Sequence, residues 1–267
     1  RLRGALAHAP GRERVEAPRR YFMHLRTSPS IRAAVDDPRL ADWSQRGPIT
    51  PDHVIRTKPL PLVLDPEADL DTQLERFRAD YRAYVERQVA ARPGLRIKPL
   101  DADPRVVLVP GLGLIGVGSS PKAAAIAADL YEHTLEVIGD AERVGRYQAL
   151  PETDLFDMEY WSLEQAKLGS HKPRALEGHI VYVTGAARGI GAATARLFAA
   201  QGASLFLVDR EADSLEPLAR ALGAAWQVLD VSDAPAVRAS LDACVTHFGG
   251  LDGVVSNAGI APQAPIG

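Results

Sequence analysis

The sequence predicts an α/β fold in two parts, and three stretches carry that expectation. Residues 179–191, HIVYVTGAARGIG, pass from a short apolar β-branched run (Ile180, Val181, Tyr182, Val183) through a glycine turn into the helical pattern AATARLFAAQG. Strand-like runs then alternate with helical ones, at SLFLVDRE (204–211), WQVLDVSD (226–233) and LDGVVSNAG (251–259). That alternation is the pattern of a parallel, doubly wound sheet. Nearer the N-terminus, RVVLV (105–109) and a second apolar run (112–117) flank a Pro-Gly turn and lead into a long helix.

In chain order, residues 1–58 show little periodicity, with short helical stretches around 29–46. Residues 66–91 form an amphipathic helix in which Leu70, Leu74, Phe77, Tyr81, Tyr84, Val85 and Val89 recur at three and four. Pro93-Gly94 ends it. Ser119-Ser120-Pro121 opens the next helix, predicted to reach about Ile138, with a serine as N-cap and proline in the first turn. A short helix is expected in SLEQAKLG (162–169). The Gly-Ser-His-Lys-Pro-Arg stretch after it reads as a linker. The expected domains are therefore 1–168 and 176–267, joined by 169–175.

Composition narrows the function classes. Hydrophobic content of 46% with 24% charged residues is ordinary for a soluble globular protein, and a net charge of −3 leaves no nucleic-acid footprint. No apolar run approaches the ~18 residues of a membrane span, and no signal peptide is visible. The single cysteine, Cys244, excludes a disulfide framework and falls in an apolar helical pattern, where an inert buried thiol is expected. These features point to a cytoplasmic protein. Charge is uneven: residues 1–58 hold 12 basic and 6 acidic residues, residues 176–267 hold 5 and 9. Solvated surface is the first reading of the basic excess, and arginines lining an anionic-substrate site the second.

The glycine turn has a chemical logic. Gly185 permits a tight turn, Gly189 removes the Cβ that would keep a pyrophosphate off the backbone, and Gly191 lets the helix lie close to the strand. The N–H groups and positive dipole end of that helix then meet phosphate. Asp209, ending the second strand about 20 residues on, is placed to bond the adenine-ribose hydroxyls. The spacing Thr184-Gly185-x-x-x-Gly189-x-Gly191 resembles the short-chain dehydrogenase/reductase family, as do Asp230-Val231 and Asn257-Ala258-Gly259. The resemblance implies a Rossmann domain in which Gly185, Arg188, Gly189, Ile190, Gly191, Asp209, Arg210, Asp230, Val231, Asn257, Ala258 and Gly259 surround NAD, with NADP less favoured. It also implies that Asn257 supports the catalytic hydrogen-bond chain. The family's catalytic Ser and Tyr-x-x-x-Lys lie beyond Asn-Ala-Gly, and none of the 7 tyrosines here has lysine four residues on. The chain is thus expected to be a fragment of a longer polypeptide, holding the first part of an incomplete Rossmann sheet and inactive as a dehydrogenase by itself.

Gly111-Leu-Gly113-Leu-Ile-Gly116 also fits Gly-x-Gly-x-x-Gly. Val117, Gly118 and two serines separate it from the helix, so it reads as a tight strand-turn-strand. The stretch VLVPGLGLIGVGSSPKAAAIAADLYEHTLEVI is similar to the C-terminal part of the class II aldolase/adducin family. In that alignment Leu112 stands where the family has a zinc-ligating histidine, and leucine cannot bind zinc. No metal ligand is carried over, and zinc is expected only if upstream residues supply its ligands. His53, in TPDHVIRTK, reads first as surface loop and helix N-cap. The alternative is a metal ligand or general base, with Arg56 and Lys58 receiving phosphate. His24, His133, His171, His179 and His247 show no metal-ligand spacing. The order of the two halves resembles bifunctional rhamnulose-phosphate aldolase/alcohol dehydrogenases. This implies oxidation or reduction of a sugar or polyol, coupled to ketose-phosphate aldol cleavage, in a homo-oligomer. A non-catalytic NAD(P)-binding or scaffolding protein is the alternative.

Overall fold

Two sheets organise the chain, one in each of its two units, Arg1–His171 and Lys172–Gly267. They come from a computed structural model that describes residues 1–7, 20–162 and 174–260. In the first unit Phe22–Arg26 (β1), Leu62–Val63 (β2), Val106–Val109 (β3) and Gly113–Gly118 (β4) pair in the order β1-β4-β3-β2. β4 is antiparallel to both β1 and β3, and β2 is parallel to β3. The all-apolar run of β3 explains its inner place, because all four residues are buried and neither face needs water. Val106 and Leu108 pack with Val35, Leu40, Trp43, Tyr131 and Ile138. Val107 and Val109 face the other way, onto Leu6, Met23, Leu62 and Leu74.

The β3–β4 hairpin confirms the strand-turn-strand reading of the Gly111–Gly116 stretch. Gly116 serves packing, since a Cβ there would collide with the Ala124 carbonyl and hold the next helix off the strand. That helix begins as expected, with Ser120 Oγ accepting from Ala123 N at 3.1 Å, but runs from Pro121 to Val144. The expected end is about Ile138. The helix continues because Glu142 accepts from Arg46 Nη1 at 2.7 Å and from Tyr147 N at 2.6 Å, contacts no local pattern reveals.

The predicted amphipathic helix spans Leu70–Ala90, capped by Asp69, and buries Leu74, Tyr81, Tyr84 and Val85. It also buries Arg78, whose Nε donates to Asp103 Oδ1 at 2.7 Å. Elements not expected include the helix Leu2–Ala7, strands β1 and β2, and the helix Glu152–Glu159. Phe22–Arg26 has no clear alternation and gains strand character from its pairing with β4. The helix expected at 162–169 lies, beyond Ser162, outside the described residues, as does the linker 169–175 up to Pro173.

The second unit is a parallel sheet of Ile180–Thr184 (β5), Ser204–Asp209 (β6), Ala225–Val228 (β7) and Gly253–Val255 (β8), in the order β7-β6-β5-β8. β7 is shorter than its sequence signal, which ran to Asp230. Helices Gly189–Ala200, Ala212–Leu222 and Ala234–Phe248 connect the strands. Val181, Val183, Leu205 and Leu207 pack on one face against Ala192, Ala195, Leu215 and Leu218. On the other face Tyr182 stacks on Phe206, and its hydroxyl bonds Ser240 Oγ at 2.9 Å. Cys244 is buried there, and burial pushes its thiol up to about 11, so it stays a neutral packing group.

Candidate functional site

Parallel strands deliver their C-terminal ends to one edge, and the order reverses between β5 and β8, where such sheets place ligands. At that edge Asn257 holds the end of β5. Its Nδ2 donates to Thr184 O and Gly185 O, both at 3.1 Å. Thr184 Oγ1 in turn accepts from Asn257 N and Ala258 N, both at 3.0 Å. This reciprocal clasp fixes the carbonyls around which the glycine turn forms. Gly191 lies so near it that a Cβ would collide with Gly185 O and stand 2.7 Å from Asn257 Nδ2.

Asp209 braces the turn from the second strand. Its Oδ2 accepts from Ala187 N at 2.9 Å and its Oδ1 from Glu211 N at 3.0 Å. Asp230 is held locally, accepting from Ser232 N at 2.9 Å and Ser232 Oγ at 2.8 Å, with Arg210 nearby; these bonds keep its carboxyl below the usual range. Arg188, largely exposed, pairs with Glu211 at 2.7 Å.

These residues enclose a cleft of about 440 Å³, a size suited to a small-molecule site. Its wall includes Gly185, Arg188, Asp209, Arg210, Asp230, Val231, Asn257, Ala258 and Gly259, drawn from all four strand ends. Gly189, Ile190 and Gly191 do not line it; they form the first turn of the helix that follows Arg188. A dinucleotide fits this arrangement on one further count. A Cβ at Gly189, where φ is +57°, would meet nothing within 4 Å, which leaves open space in front of the helix N-terminus. Sequence reasoning did not count Thr184, Ser232 or Glu211 among the site residues. The threonine that opens the glycine motif was a signal for the first. Nothing in sequence joined Glu211 to Arg188.

In the first unit, Leu112 lies in the β3–β4 turn, 41% exposed. Among the described residues no group of three or more His, Cys, Asp or Glu side chains could hold a metal ion. His53 ends a 3-10 turn, Pro51–His53, and stands at the N-cap position of the helix Val54–Thr57, as expected, though its side chain makes no capping bond. Burial is the main cause that moves its imidazole below its ordinary value. No step is assigned to a metal.

Comparison with known proteins agrees with both halves. Residues 1–168 match the family described as aldolase class II, second domain. The chain belongs to the class II aldolase family. Residues 185–267 match a second family, described as enoyl-(acyl carrier protein) reductase, which makes the arrangement an aldolase domain joined to a short-chain dehydrogenase/reductase domain. The uncharacterized oxidoreductase YuxG of Bacillus subtilis (strain 168) is 33% identical over 241 residues, or 84% of this chain and 34% of that protein. Two other relatives match a shorter stretch. Cis-4-hydroxycyclohexanecarboxylate dehydrogenase of Sinomonas cyclohexanicum is 46% identical over 98 residues, 34% of this chain and 39% of that one. D-threitol dehydrogenase of Mycolicibacterium smegmatis (strain ATCC 700084 / mc(2)155) is 43% identical over 95 residues, 34% of this chain and 36% of that one. The chain thus spans roughly a third to two-fifths of the length of these relatives.

Proposed function

We propose that residues 176–267 supply the dinucleotide-binding part of an NAD-dependent oxidoreductase acting on a sugar-derived alcohol or aldehyde. The observation that carries this reading is the clasp of Asn257 and Thr184 around Gly185, set beside an acidic residue, Asp209, at the end of the next strand. When bound, the nicotinamide accepts or donates the hydride. The chain's own residues bind and orient: the helix N-terminus after Arg188 faces the phosphates, Asp209 the ribose, and Val231 the adenine. Asn257 stabilises the floor of the site. The dehydrogenase relatives, one named for D-threitol, support a polyol-like substrate. The class II aldolase match supports ketose-phosphate cleavage as a coupled activity, in a homo-oligomer. No helix among the described residues is long and apolar enough to cross a membrane.

Titrating the full chain with NADH, read by cofactor fluorescence, tests the reading. Saturable binding, lost on Gly189→Ala, is expected. The added methyl meets no protein atom, so its positive-φ strain, about 1 kcal/mol, leaves the unit folded while the methyl blocks the phosphate. Absence of saturable binding by the unmutated chain refutes the proposal.

A further inference from the structure

The first unit contains a second cavity, of about 450 Å³, with walls that include Phe77, Tyr81, Tyr84, Leu155 and Lys58. Lys58 is unusual twice over. It is 4% exposed, and among the described residues it is the one non-glycine with positive φ, 63°. Such a conformation costs about 1–2 kcal/mol and persists where the surroundings over-determine it. Here it turns the chain at the end of the helix Val54–Thr57 and sends the side chain inward. Nζ donates to the Asp101 carbonyl at 2.6 Å and stands 3.5 Å from the centroid of the Tyr81 ring. Behind that ring lies the fully buried Glu159, which accepts from Tyr81 OH at 2.8 Å and Tyr84 OH at 3.2 Å.

An amine, a tyrosine that lines the same cavity and a buried carboxyl bonded to its hydroxyl are groups that imine formation uses. Desolvation pushes the ammonium down to about 8, so far more of it is free amine near neutral pH than for an exposed lysine. Burial likewise raises the Glu159 carboxyl, which suits it to hold and return a proton. The cations on the rim do not ask for an anionic ligand: Arg46 is paired with Asp42 and Glu142, and Arg87 with Glu152.

We propose that this cavity is a carbonyl-binding site in which Lys58 Nζ forms an imine with a small neutral aldehyde or ketone. The amine lone pair makes the C–N bond, the C=O π bond breaks, and the first N–H proton passes from the nitrogen to the oxygen. Water then leaves as the C=N bond forms, its second proton passed through the Tyr81 hydroxyl from Glu159 and restored from the nitrogen. The sum is amine plus carbonyl giving imine plus water, with no oxidant or reductant. The proposal concerns the first unit and does not depend on the dinucleotide reading.

The test incubates the full chain with glycolaldehyde and cyanoborohydride at pH 7.5 and follows each lysine peptide by mass spectrometry. Lys98 and Lys122 serve as comparators. A lysine that is merely buried reacts more slowly than exposed ones, so the sign of the difference decides. Lys58 should be alkylated at least about tenfold faster than either comparator, as its larger free-amine fraction allows. Tyr81→Phe should slow Lys58 alone, with the circular dichroism spectrum unchanged. Alkylation of Lys58 at or below the rate of Lys98 and Lys122 in the native chain overturns the proposal, as does a Tyr81→Phe variant that folds and reacts at the unmutated rate.

Discussion

The two units place polar groups in different ways. In the second, the polar chemistry sits at strand ends and acts largely through backbone: the N–H groups of Ala187, Asn257 and Ala258 and the carbonyls of Thr184 and Gly185. In the first, charged side chains meet inside the fold. Arg78 reaches Asp103, Tyr81 and Tyr84 converge on Glu159, and Lys58 lies over Tyr81. A site made of backbone depends on glycines and short side chains at fixed spacing. A site made of buried charges depends on partners that are distant in sequence and on mutual neutralisation.

That contrast sets the expected sizes of mutational effects. The largest belongs to Glu159→Ala, which removes the buried carboxyl that accepts from Tyr81 and Tyr84 and whose charge favours the Lys58 ammonium, and should cost the first unit about 3–5 kcal/mol in guanidinium unfolding. The double variant Lys58→Met/Glu159→Leu should recover most of that loss. If the double is no more stable than Glu159→Ala, the two groups are not coupled. Next comes Gly191→Ala, which forces a Cβ onto the Gly185 carbonyl and should cost the second unit about 3 kcal/mol by overpacking. Hydrogen exchange should show it as faster exchange in Ile180–Thr184 with Val106–Val109 unchanged; equal acceleration in both strands would erase the distinction between the units. Smaller again is Thr184→Val, which strands the N–H groups of Asn257 and Ala258 and should cost about 1–3 kcal/mol, read as a lower unfolding midpoint and weaker NADH binding.

The same contrast explains what was legible in the sequence. The glycine turn, Asp209 and Asn257 could be read because a tight strand-to-helix turn needs particular residues at particular spacing, and the strands around them are apolar runs of ordinary length. Most of the predicted cleft residues meet on one wall for that reason. The interior of the first unit was opaque. Lys58 sits in the polar run TPDHVIRTK, which reads first as surface loop, with phosphate reception as the alternative. Only the positive-φ turn and the distant Asp101, Tyr81 and Glu159 bring it inside. Arg78 falls within a helix whose apolar stripe was correctly placed, but its burial depends on Asp103, which no periodicity announces. Strand β1 was missed because five residues without alternation carry too little pattern until β4 pairs with them.

The central claim, that the second unit is shaped for NAD, is tested most directly by titrating the full chain with NAD and NADP at one fixed ionic strength. In the proposed binding mode Asp209 presents its carboxylate to the adenine ribose, and of the two guanidiniums able to receive a 2′-phosphate, Arg188 and Arg210, the first is already paired with Glu211. A like charge facing the 2′-phosphate costs on the order of 1–3 kcal/mol, so NAD should bind about tenfold or more tightly than NADP. Asp209→Ala should shrink or reverse that ratio. Equal or tighter binding of NADP by the unmutated chain would contradict the account.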